Sequence, residues 1–138
     1  MIKGKQSIAF NASPYIEESA SVVGKKEGEG PLGSRFDMVG LDDMFREDTW
    51  EKAESSMQKE ACQLALGKAH LTAGAIRYLF GGDLLRQGVA TSLGVEQLQI
   101  PMFGLYGACS TSGEALALAS MCVAAGYGAV SYTHLRAH

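Results

Sequence analysis

Between Glu96 and Arg136 the only charged side chain is Glu114. A stretch this apolar must leave water, and few structures can take it. A membrane span is one of them. Pro101, Gly104, Gly107, Gly113 and Gly126 interrupt the stretch, however, and no unbroken helical piece reaches the ~20 residues that crossing a bilayer needs. The pattern instead predicts a buried strand followed by a buried helix. Met102 to Tyr106, short and apolar after Pro101, is the strand. The helix begins beyond Gly107, where Thr111 and Glu114 stand at capping-box spacing, and carries Leu116, Ser120 and Val123 toward Gly126.

The same alternation runs through the preceding residues. Asp48 and Glu51 also have capping-box spacing. Trp50, Ala53, Met57, Ala61 and Leu64 follow at steps of three and four, which places them on one helical face, with Cys62 beside them as a buried structural thiol. Ile76 to Phe80, bounded by Gly81 and Gly82, reads as a buried strand, and Gly88 to Leu98 as a region holding a short helix. Nearer the N-terminus, Ser7 to Phe10 and Ile16 to Val23 read as short strands, and Lys25 to Ser34 (KKEGEGPLGS) as a solvated loop. Strand and helix in alternation predict an α/β architecture with a central sheet.

Composition narrows the function classes. At 46% hydrophobic and 20% charged residues, the 138-residue chain is too apolar for a disordered segment and suits one domain. The net charge is −3, and no basic patch is interleaved with aromatics, which argues against nucleic-acid binding. Cys62, Cys109 and Cys122 make an odd count without a CxxC pair and without a histidine at ligand spacing. That disfavours a disulfide scaffold or a zinc site and suits a reducing compartment. The N-terminus, MIKGKQSIAF, lacks the apolar run of a signal peptide.

Two residues stand where chemistry concentrates. Cys109 lies in GLYGACSTSGEALALAS, Gly104 to Ser120, on a tight turn of small residues between the predicted strand and helix. A helix N-terminus presents unpaired N–H groups and partial positive charge, which favour a thiolate or a bound carboxylate. Gly107, Ala108 and Ser110 are small enough to let a ligand approach. The plain alternative is a buried cysteine that only packs. Asp83, in LFGGDLL, follows a buried strand at its C-terminal end, where ligands of α/β sheets gather. Its plain alternative is a turn cap. Cys122 reads as core and His70 as a surface or capping residue. Ser92 and Ser112 have no evident base partner.

Three segments together, VVGKKEGEGPLGSRFD (Val22 to Asp37), AGAIRYLFGGDLLRQ (Ala73 to Gln87) and GLYGACSTSGEALA (Gly104 to Ala117), resemble the stage V sporulation protein AD family, and the similarity runs in order from about Lys3 to Gly128. The elbow alone would indicate only the wider thiolase and ketoacyl synthase superfamily. The resemblance implies a layered αβαβα thiolase-like fold in the complete protein, with residues 1–129 forming part of its first half. It implies a sporulation protein that binds dipicolinic acid, alone or as its calcium chelate, and supports its uptake into the developing spore. It further implies a place in the cytoplasm or at the forespore inner membrane, other spore-membrane transport proteins as partners, a homodimer at full length, and no cofactor. Cys109 matches the thiolase-type cysteine, Asp83 the pocket-side aspartate, and Ser110 lies beside them as a ligand contact. The alternatives are an acyltransferase with Cys109 as nucleophile, and a structural subunit that docks on membrane partners.

The tail VSYTHLRAH, Val130 to His138, departs from the family pattern and resembles translated sequencing-adaptor read-through. It is therefore read as non-native, and His134 and His138 are set aside as catalysts. The histidine and asparagine that activate a thiolase cysteine come later in such chains and have no counterpart here.

Overall fold

The computed structural model describes residues 2–85, 87–129 and, for the backbone, 131–133. Near the N-terminus, β1 (Ile2–Lys3) and β2 (Ser7–Ile8) form an antiparallel ladder. Next, β3 (Val22–Val23) pairs in parallel with β4 (Met38–Val39). The predicted solvated loop between them carries two helical turns, α1 (Lys25–Gly28) and a 3-10 turn at Gly33–Arg35. Its glycines permit the tight packing. A side chain at Gly33 would overlap the Gly28 carbonyl, and one at Gly28 would overlap Val39.

The long helix α2 (Trp50–Lys68) is capped one residue later than its sequence predicts. Thr49, not Asp48, is the N-cap, and its Oγ1 accepts from the Lys52 N–H at 3.3 Å. Asp48 pairs instead with the Lys52 ammonium at 3.0 Å. The buried face is rotated as well. Ala53 and Ala61 are buried as expected, but Trp50 is 63% exposed, and Glu54 and Gln58 are buried in place of Met57 and Leu64. The cause is tertiary. Helix α3 (Val89–Val95) lies close against α2, where a side chain on Gly94 would fall 2.7 Å from the Ser55 carbonyl oxygen. Ser55 Oγ lies 2.9 Å from the Ala90 carbonyl oxygen across this contact and 2.8 Å from that of Glu51, and its single proton serves one of them at a time. At its other end α2 closes in a Schellman motif. His70, left-handed at φ 54°, donates its N–H to the Gly67 carbonyl, and Leu71 donates to Leu66.

A parallel sheet lies at the centre. β5 (Tyr78–Gly81) is its middle strand, flanked by β6 (Met102–Gly104) and β7 (Ser131–Thr133) in the order β6-β5-β7. Between β6 and β7 runs α4 (Thr111–Ala124). Successive β5 side chains enter opposite cores, as the two-residue period of a strand dictates. Leu79 packs with Cys62 of α2 and Val95 of α3. Phe80 packs with Ala115 and Ala119 of α4. Burying each large side chain contributes about 1.5–3 kcal/mol. Helices thus cover both faces of the sheet, the α/β arrangement that the alternating sequence predicts.

Residues 131–133, set aside as tail in the sequence reading, pair with β5 in the register Tyr78↔Ser131, Leu79↔Tyr132 and Phe80↔Thr133. Tyr and Thr favour strands, and a segment that follows a crossover helix meets the open edge of β5. Residues 130 and 134–138 lie outside the described residues, and with them His134 and His138. No helix among the described residues is long and apolar enough to cross a membrane.

Candidate functional site at the carboxyl end of the sheet

The sheet topology selects one place. β5 leads to α3 on one face, and its neighbour β6 leads to α4 on the other. The two connections leave the sheet on opposite faces, and the turns that begin them lie at its C-terminal end, where ligands of open α/β sheets gather. Asp83 follows β5 and Cys109 follows β6, so both lie at this end. Gly82 lets the two loops meet, because a Cβ there would overlap the Leu105 carbonyl and lie 3.2 Å from Thr111 Cγ2.

Cys109 is exposed, on a 3-10 turn (Ala108–Ser110) that opens directly into α4. Its thiol is available, and the buried-cysteine alternative does not hold. Ala108, the residue before it, is left-handed at φ 50°, a conformation that costs an L-residue about 1–2 kcal/mol. The predicted Thr111–Glu114 capping box is absent. Ser110 occupies the N-cap position without a side-chain cap bond. Thr111 Oγ1 instead accepts from the Gly107 N–H at 3.1 Å, tying the turn to the helix. Ser110 Oγ lies 2.6 Å from Glu114 Oε1 and 2.7 Å from the Gly107 carbonyl oxygen, and its single proton serves one of them at a time. A side chain on Gly107 would collide with both Ser110 and Glu114. The one charge of the long apolar stretch is thus spent beside the candidate cysteine, against the positive end of α4.

Asp83 is 6% exposed, and its carboxylate faces protein groups. Oδ1 accepts from the Leu85 N–H at 2.8 Å. Oδ2 accepts from the Thr91 N–H at 2.8 Å and from Thr91 Oγ1 at 2.6 Å. Helix α3 begins at Gly88 without a side-chain cap of its own, so Asp83 caps it from across the turn. These are the bonds of the turn-capping reading.

Tyr106 lies in the same Gly104 to Ser120 segment as Cys109. It follows β6, is 67% exposed, and lies against Gly88 and Gly104. Cys122 is half-buried against the Phe80 cluster, His70 ends α2, and Cys62 is fully buried. A concavity of about 510 Å³, lined by Gly74 to Tyr78 and Pro101, opens at the other end of the sheet, where β5 and β6 begin. No group of three or more His, Cys, Asp or Glu among the described residues could hold a metal ion.

The chain is thus an α/β protein with an exposed cysteine on a strand–turn–helix elbow at the carboxyl end of its sheet. The profile of one family, stage V sporulation protein AD (SpoVAD), matches residues 4–138. The chain is also 37% identical over 126 residues to stage V sporulation protein AD of Bacillus subtilis (strain 168), an overlap that takes in 91% of this chain and 37% of that protein. The chain belongs to the stage V sporulation protein AD family. It spans little more than a third of the length of the curated relative it matches.

Proposed function

We propose that this chain forms part of the first half of a thiolase-like αβαβα protein of spore formation. The complete protein binds dipicolinic acid, alone or as its calcium chelate, at the β5 and β6 turns, and supports its passage into the developing spore. The observation that carries this reading is the juxtaposition of the two turns with an exposed Cys109 at the start of a 14-residue helix. The opening N–H groups of that helix suit a carboxylate. Cys109 and Ser110 line the approach, and Asp83 acts by holding the β5 turn and α3 in place. Glu114 beside Ser110 repels a bare dianion, which favours the calcium chelate, whose metal offsets the ligand's charge. The protein works at the forespore inner membrane with transport proteins of the same system, as a homodimer.

The test is calorimetric titration of the full-length protein carrying this segment with dipicolinate, with and without calcium. Saturable binding that weakens in Asp83→Ala and Cys109→Ala supports the reading. Unchanged affinity in both variants sinks it. A second reading, acyl transfer through Cys109, is favoured by the exposed thiol on its elbow. Covalent trapping of Cys109 by an acyl-thioester analogue would establish it.

A further inference from the structure

We draw no further inference here: the strongest candidate, the apolar surface patch made by the exposed side chains of α4 (Leu116, Leu118 and Met121) and of the edge strand β6 (Phe103), carries nothing, because nothing in the structure shows what covers it.

Discussion

Gly82 and Asp83, adjacent in sequence, have opposite reasons for their identities. Gly82 is small because the Leu105 carbonyl occupies the space a side chain would need. Gly82→Ala forces the β5 and β6 turns apart, and overpacking of this kind costs about 1–3 kcal/mol. Thermal or urea unfolding of the variant measures it. Asp83 is acidic because three donors converge on it. Asp83→Ala strands the buried Thr91 N–H and hydroxyl and should cost about 2 kcal/mol. Asp83→Asn keeps an acceptor and should cost less. Hydrogen exchange confined to α3 in Asp83→Ala would confirm that the carboxylate acts as a cap. His70 offers a gain. Its left-handed backbone is the one glycine adopts most easily, and glycine holds the same place after α4, at Gly126 with φ 78°. His70→Gly is expected to raise stability by about 1 kcal/mol.

At the scale of elements, one tie links the N-terminal strands to α2. Asp37 accepts from Lys68 Nζ at 3.0 Å, from the Ser21 N–H at 2.8 Å and from Ser21 Oγ at 3.0 Å. The Lys68 ammonium, then Ser21, hold its carboxyl below the ordinary carboxylate range. A group depressed in the folded state stabilises fully above its unfolded value of about 3.9, and that stability is lost as pH falls through the lower, folded value. Acid should therefore loosen the β3–β4 pair from the end of α2. Asp37→Asn should remove this acid-sensitive step, which amide-resolved exchange or chemical shifts of Val22 and Val39 between pH 6 and pH 3 would follow. The central strand depends on packing instead. Phe80 is 2% exposed, lies against α4 and stacks on Phe103 with centroids 5.0 Å apart. Phe80→Ala is expected to cost about 3–5 kcal/mol.

For the whole molecule, the apolar surface left in contact with water matters most. On α4, Leu116, Leu118 and Met121 are all more than a third exposed, and Phe103 on the edge strand β6 is half exposed. Leu93 of α3 and Trp50 of α2 add to this surface. Apolar area of this extent beside an open strand edge favours association. The 138-residue chain alone is expected to aggregate on expression, and a soluble monomer with a single cooperative melt would contradict that. In a protein of the relative's length, these surfaces have further chain available to cover them.

What the sequence determined by itself follows from short-range rules. A nearly uncharged stretch broken by glycines reads as strand and helix, so β6, α4 and the turn that carries Cys109 were legible in outline, as was β5 between its glycines, but the burial expected of β6 and α4 is not seen: Phe103, Leu116, Leu118 and Met121 stay more than a third exposed. Their order also sets the α/β class. Other features were decided only when elements met. The face α2 buries follows from the approach of Gly94 to Ser55, which brings Glu54 and Gln58 inside and leaves Trp50 out. Beyond the local Leu85 N–H, Asp83 is met by Thr91, eight residues away, and those bonds exist only because the turn folds back onto the start of α3. Thr111 and Glu114 look like a capping box, yet each finds a nearer partner once the turn closes. Residue spacing encodes what one strand or helix must bury; which atoms it buries against depends on the geometry of its neighbours, and only the tertiary structure supplies that.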